Sequence, residues 1–157
     1  MAKSNIQIAR RDVLRAAGLG AVAVAASSVL PSESFATPAK ADALLKKLTG
    51  GAAAKSGRVT IKLPEIAENG RTVPLSVTVD SPMTSKDYVK AIHVLSEGNP
   101  TPAVASFNLS ASSGKAAVST RIRLGKTQNV IAAAVMNDGS VYVAKKKIKV
   151  TIGGCGG

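Results

Sequence analysis

The sequence contains few of the residues on which common enzyme sites depend. Its 157 residues include one Cys, one His and no Trp, and aromatic residues make up only 3%. One Cys excludes an internal disulfide and a cysteine-cluster metal site. A single His makes a histidine zinc site or a Ser-His-Asp triad difficult to assemble. Scarce aromatic rings argue against base stacking with nucleic acids. We therefore predict no catalytic residue, no metal site and no nucleic-acid partner.

The first 36 residues have the pattern of an export signal. Met1–Arg15 is polar and basic, Ala16–Leu30 is apolar, and small residues around position 36 suit a signal peptidase. The pair Arg10-Arg11 resembles a twin-arginine signal, which a transport receptor reads. The apolar run is shorter than the roughly 20 residues that span a bilayer, which disfavours a membrane anchor. The pattern predicts removal of residues 1–36 and a periplasmic protein. The general secretory route would lead to the same compartment.

The remaining chain keeps an excess of positive charge. The whole sequence has 21 Lys and Arg against 9 Asp and Glu, a net charge of +12. The predicted leader holds four basic and two acidic residues, so the mature charge is +10. Such a charge favours anionic small molecules or acidic protein partners. Solubility alone is the alternative explanation, and charge does not separate the two.

Hydrophobic periodicity divides the mature chain into three parts. Residues 37–57 comprise a short amphipathic helix, Lys40–Leu48, which ends at Gly50-Gly51, and a small-residue linker, Ala52–Gly57. Residues 58–152 alternate apolar and polar positions and are rich in β-branched residues, which predicts strands. Residues 153–157 are four glycines around one cysteine. The predicted strands are Arg58–Leu63, Thr72–Asp80, Tyr88–Ser96, Val104–Leu109, Ala116–Leu124, Val130–Met136 and Ser140–Ile152.

Short strands separated by frequent turns predict an all-β, antiparallel, immunoglobulin-like sandwich. Asp138-Gly139, between two alternating runs, predicts a hairpin. Pro74 predicts that its strand lies at an edge or begins after it. His93 is expected at the surface or at an edge rather than as a ligand. The basic run Lys145–Lys147 is either a charged edge that discourages aggregation or a docking site for an acidic partner or an anion.

The tail, residues 153–157, carries the reactive group of the chain. Gly153, Gly154, Gly156 and Gly157 surround Cys155, and glycine has no side chain to bury and loses much entropy on ordering. Such a segment behaves as a flexible arm that lets the thiol project roughly 10 Å from the last strand. A thiol can bind a substrate covalently, but no neighbour in the sequence serves as a base. The tail therefore predicts a carrier that presents a bound group to separate active sites.

Two other interpretations of the tail remain open. An odd Cys in an exported protein commonly forms an intermolecular disulfide, which would make the chain a structural module. The terminal Gly156-Gly157 pair also fits a ubiquitin-like sulfur carrier, activated at its carboxylate. The export signal and the lack of a central helix argue against the ubiquitin-like alternative.

The tail from Val150 to Gly157 resembles the C-terminus of the SoxY family, the sulfur-carrier subunits of the bacterial thiosulfate-oxidising (Sox) system. A twin-arginine leader is also usual in that family, and the resemblance covers essentially the whole chain. The other matching stretches are Ile66–Gly70, Ser81–Met83, Asn99–Pro100 and Thr120–Leu124.

This resemblance implies a function for each part of the tail. Cys155 would hold the sulfur covalently, and Gly153, Gly154, Gly156 and Gly157 would form a swinging arm that enters the channel of each enzyme. SoxZ would be the heterodimer partner. A c-type haem enzyme would join thiosulfate to the thiol, and a manganese-dependent hydrolase would release sulfate. A molybdenum-haem sulfane dehydrogenase, where present, would oxidise the remaining sulfur. The carrier itself would bind no metal or organic cofactor.

Overall fold

The computed structural model describes residues 36–154, which form two β-sheets packed face to face and one helix outside the larger sheet. Predictions for Arg10, Arg11, Cys155, Gly156 and Gly157 lie outside the described residues. The elements are the helix α1 (Pro38–Leu48) and the strands β1 (Ala54–Lys55), β2 (Val59–Lys62), β3 (Ile66–Asn69), β4 (Val73–Val79), β5 (Val89–Ser96), β6 (Ala103–Asn108), β7 (Ala117–Ile122), β8 (Gln128–Met136) and β9 (Val141–Ile152).

The strand order confirms the predicted all-β sandwich. The larger sheet runs β1-β9-β8-β5-β6, and β3 also pairs with β9; the smaller sheet runs β2-β4-β7. All pairings are antiparallel except those of β1 and β3, which are both parallel to β9. All seven predicted strands are present within one or two residues of their expected ends. The prediction missed β1, inside the expected linker, and β3, because both are too short for a clear period-two pattern.

The core lies between the two sheets and follows from the alternation of each strand. Along β4 the buried side chains are those of Val73, Leu75, Val77 and Val79, with more exposed residues between them. They belong to the same hydrophobic cluster as Ile92, Val130 and Ile148 of the larger sheet. Burying one such aliphatic side chain stabilises the fold by about 1.5–3 kcal/mol.

The prediction drawn from Pro74 is wrong. Strand β4 is central in its sheet and begins at Val73, so Pro74 lies inside a strand with neighbours on both sides. The proline is tolerated because β2 pairs with β4 only from Ser76 to Val79. Pro74 has a partner, Arg121, only on the β7 side. Its missing N–H therefore need not interrupt a ladder on the β2 side.

Helix α1 packs against the outer face of the larger sheet. It begins at Pro38, two residues before the predicted start, because the Thr37 side chain caps its N-terminus and proline suits the first turn. Ala41 is fully buried and clusters with Leu95 and Ile131. The helix thus covers an apolar patch of the sheet.

The predicted β8–β9 hairpin is present. Val135 pairs with Val141 across it, and Gly139 has a φ of 83°, which favours glycine. Beyond the hairpin, β9 pairs with β1 at positions 141–142 and with β3 at positions 149–152. Among the described strands none pairs with residues 143–148 on that side. The run Lys145–Lys147 lies on this open stretch, a position compatible with both the charged edge and the docking site.

Candidate functional site

The end of β9 carries the chain toward the cysteine and is held on both sides. On one side β3 pairs with it as far as Ile152, and the Thr151 hydroxyl donates to the Glu68 carbonyl at 2.9 Å. On the other side the Val150 N–H donates to the Thr127 hydroxyl at 2.9 Å. The direction in which the tail leaves the sandwich is therefore determined by its neighbours.

The next two residues, Gly153 and Gly154, lie between two turns that we call the glycine slot. One turn, at Gly70, joins β3 to β4, and the other, at Gly125, joins β7 to β8. The Gly154 N–H donates to the Leu124 carbonyl at 3.0 Å, and Gly154 is buried. The first half of the predicted arm is thus packed against the domain in this structure. The swinging motion stays a prediction.

The glycine slot exists because three glycines, Gly70, Gly153 and Gly154, lack a Cβ. A Cβ on Gly70 would overlap the Leu124 carbonyl oxygen and lie 2.7 Å from the Gly154 nitrogen. A Cβ on Gly154 would lie 2.8 Å from the Gly70 carbonyl carbon, and one on Gly153 would overlap the Gly125 carbonyl oxygen. Real Cβ atoms do not come so close. Any of these three substitutions must therefore displace the tail or a turn.

A buried amide pair fixes the turn at Gly125. The Asn99 side chain donates to the Arg123 carbonyl at 2.8 Å and accepts the Gly125 N–H at 3.0 Å. It also accepts a hydrogen bond from the Gln128 amide at 2.9 Å, and Gln128 accepts the Gly98 N–H at 2.7 Å. Since buried polar groups need partners, this network holds the β5–β6 turn against the β7–β8 turn.

The surface around the glycine slot is basic. The segments 68–71 and 123–126, which line the slot, include the cations Arg71, Arg123 and Lys126 and one acidic residue, Glu68. All four residues are exposed. A cleft of about 270 Å³ lies alongside and is lined in part by Arg121 and Arg123. This end of the sandwich would attract small anions.

Two other titratable residues have well-defined surroundings. His93 of β5 is half-buried in the larger sheet, bonded to the Ser106 hydroxyl at 2.8 Å, and burial lowers its pKa. Glu97 is nearly buried; burial alone would raise its pKa, but hydrogen bonds from Lys145 and Asn129 lower it. His93 lies on a face of the larger sheet, on a strand flanked by β6 and β8, and therefore not at an edge. Lys145 forms an ion pair with Glu97 of the same chain, so one of the three lysines in the run Lys145–Lys147 already has an acidic partner.

Within residues 36–154, no group of three or more His, Cys, Asp or Glu side chains is placed to hold a metal ion. No helix in the same range has the length and apolar character needed to cross a membrane.

Sequence reasoning missed the residues that receive the tail. Four of them fall between the predicted strands and were given no function there: Gly70, Asn99, Gly125 and Gln128. The sequence separates these residues by up to 58 positions, and turn glycines are common. Their one sequence-level indication was that Gly70 and Asn99 fall within stretches resembling the SoxY family.

Comparison with known proteins identifies the family. A family model described as sulfur oxidation protein SoxY matches residues 45–155, which includes Cys155. The structure is similar to that of the sulfur carrier protein SoxY from Chlorobium limicola f thiosulfatophilum, with 34% sequence identity and a TM-score of 0.61. The match covers 73% of this chain and 98% of that one. No curated protein sequence matches the chain significantly.

More distant structures share only the fold. Superoxide reductase (neelaredoxin) from Ignicoccus hospitalis is 20% identical, with a TM-score of 0.54, and the match covers 75% of this chain and 96% of that one. A putative superoxide reductase from Thermotoga maritima is 21% identical, with a TM-score of 0.52 and coverages of 62% and 93%. The family model and the Chlorobium structure carry more specific information. The chain therefore belongs to the SoxY family of sulfur oxidation proteins, which are sulfur carriers and not enzymes.

Proposed function

We propose that this chain is a periplasmic carrier that holds thiosulfate-derived sulfur on Cys155 and presents it to the enzymes of thiosulfate oxidation. The observation that carries this proposal is the family match, which extends to the single cysteine of the sequence. That cysteine directly follows a backbone segment docked at a basic end of the sandwich. Because the two residues before the cysteine are docked at this basic end, the surrounding charge would favour anionic adducts on the thiol.

The proposed chemistry needs only the thiol from this chain. The Cys155 thiolate attacks the terminal sulfur of thiosulfate, a sulfur–sulfur bond forms, and two electrons pass to a c-type haem enzyme. Water then cleaves the terminal sulfonate in a manganese-dependent hydrolase, which releases sulfate and two protons and leaves a persulfide on Cys155. A sulfane dehydrogenase, where present, oxidises the persulfide sulfur, and a further hydrolysis restores the thiol. The carrier contributes attachment and presentation, and its partners contribute the redox and hydrolytic groups.

Charge around the glycine slot supports an anionic cargo. Both the thiosulfonate and the persulfide adducts carry a negative charge near neutral pH. Arg123 and Lys126 lie in the turn that contacts the tail, and Arg71 directly follows Gly70. Cations within about one Debye length, near 8 Å in physiological salt, stabilise such adducts and favour encounter with free thiosulfate.

The leader and the family membership support the proposed location and partners. The Arg10-Arg11 pair and the following apolar run fit export through the twin-arginine route, with removal of residues 1–36. We propose SoxZ as the heterodimer partner, with transient contacts to the haem enzyme, the hydrolase and, where present, the sulfane dehydrogenase. Residues 153–157 would form the arm that enters each enzyme, with Gly153, Gly154, Gly156 and Gly157 around the thiol.

Mass spectrometry of the intact protein tests the carrier function. The mature protein is purified from cells grown on thiosulfate and measured with and without a thiol reductant. We expect reductant-labile masses of sulfur and thiosulfonate adducts, which are absent in Cys155→Ser. An unmodified thiol, or only a disulfide-linked dimer, would contradict the proposal and favour a structural module.

A relocated thiol serves as the matched control. Ser112 is exposed in the short 3-10 turn Ala111–Ser113, far in sequence from the tail. The double variant Cys155→Ser, Ser112→Cys keeps one surface thiol but removes it from the glycine arm. We expect no sulfur adducts on this variant. Equal loading of both thiols would show that any exposed cysteine reacts, and the carrier proposal would fail.

A further inference from the structure

Gly70 occupies the centre of the contacts that hold the tail. Its N–H donates to the Ile152 carbonyl at 2.8 Å, and its own carbonyl accepts the Leu124 N–H at 2.8 Å. The Leu124 carbonyl in turn accepts the Gly154 N–H at 3.0 Å. Three distant segments of the chain are thus joined by backbone hydrogen bonds at one glycine.

We propose that Gly70 is a positioning residue for Cys155. By keeping the glycine slot open, it docks Gly154 against the Leu124 carbonyl and so fixes the point from which the chain continues to Cys155. The arm gains its full length only when Gly153 and Gly154 leave the slot. The consequence for sulfur transfer rests on the function proposed above, whereas the docking itself rests on the described contacts alone.

Docking restricts how far the thiol can extend. With Gly154 in the slot, Cys155 starts one residue away, a step of about 3.8 Å between Cα atoms. When the segment after Ile152 is released, the same residue extends roughly 10 Å from the strand end. Docking of Gly153 and Gly154 therefore shortens the reach of the thiol, and their release when an enzyme channel binds the arm would lengthen it.

The effect of a side chain at Gly70 is steric and acts on the tail. The φ of Gly70 lies outside the left-handed region, so alanine can adopt the backbone conformation there. Its Cβ would overlap the Leu124 carbonyl oxygen and lie 2.7 Å from the Gly154 nitrogen. Gly125 provides the matched control, because a Cβ there would be 3.7 Å from the Gly154 oxygen, an ordinary contact. Both residues lie in turns that border the same slot.

Amide hydrogen exchange of the full mature chain, measured by NMR, tests the docking. In the native protein we expect the Gly154 amide to exchange at least about tenfold more slowly than the Gly156 amide. Gly70→Ala should bring Gly154 to the rate of Gly156, whereas Gly125→Ala should leave Gly154 protected. The amide of Ile148, in the core part of β9, should stay protected in both variants and reports that the fold is intact.

A second substitution keeps the test decisive if Gly70→Ala does not fold. Gly154→Ala creates the same clash from the opposite side, because its Cβ would lie 2.8 Å from the Gly70 carbonyl. The substituted residue is then in the tail and not in the domain core. It should raise the ratio of Cys155 labelling rates with a bulky and a small maleimide, as should Gly70→Ala. Gly125→Ala should not raise this ratio.

Clear results would overturn this proposal. Unprotected exchange of Gly154 in the native protein, or equal effects of Gly70→Ala and Gly125→Ala, would each refute the docking. Failure of Cys155 to acquire sulfur, with Gly154 still protected, would instead refute the carrier function and leave the position of the tail unchanged. The two proposals therefore fail in distinguishable ways.

Discussion

The Asn99 side chain offers a direct test of what holds together the turns that border the glycine slot. Asn99 is 5% exposed, and its side chain makes three hydrogen bonds, with the Arg123 carbonyl, the Gly125 N–H and the Gln128 amide. Asn99→Ala removes all three and leaves these partners without the oxygen or nitrogen that satisfies them. At about 1 kcal/mol for each bond, the free energy of unfolding should fall by about 3 kcal/mol.

Urea denaturation with a thermal scan measures this loss. For a domain of this size, 3 kcal/mol corresponds to a decrease in Tm of about 10 °C. The control is Asn108→Ala, at an exposed position of the edge strand β6, which should change stability by less than about 0.5 kcal/mol. A loss below about 1 kcal/mol in Asn99→Ala, or equal losses in both variants, would refute the view that this network organises the turns.

Three further predictions concern the core, pH and charge. Ile148 is fully buried, so Ile148→Ala should lower the free energy of unfolding, measured by chemical denaturation, by about 2–5 kcal/mol. Ile152 is 69% exposed, so Ile152→Ala should leave that free energy nearly unchanged, and similar losses in the two variants would contradict the assigned burial. The lowered pKa of Glu97 means that its carboxylate stabilises the fold above its unfolded pKa, near 4.3, and that this contribution disappears as pH falls through the folded value. The stability gap between the native protein and Glu97→Gln should thus shrink in acid, and a gap independent of pH would contradict the assignment. Arg123→Gln should slow the reaction of Cys155 with an anionic disulfide reagent more than with a neutral one, and an equal change would exclude an electrostatic effect.

Local pattern was sufficient for most of the secondary structure. Alternation in β4 and in β5 reflects which side chains face the core, and that property is written in consecutive residues. Pairing partners are a different matter. The parallel additions of β1 and β3 to β9, and the central position of β4 despite Pro74, depend on where distant strands end. No local pattern records such an endpoint.

The sequence by itself predicted the chemistry of this protein, and the tertiary structure decided how the segment before the cysteine is held. One cysteine among glycines, after a predicted export leader, was enough to predict a thiol carrier, because reactivity and flexibility are properties of residue type. The glycine slot was not predictable, because it brings together Gly70, Gly125 and Gly154 from three separate parts of the chain. Their shared property is the absence of a side chain, and only the folded backbone shows which atoms a Cβ would meet.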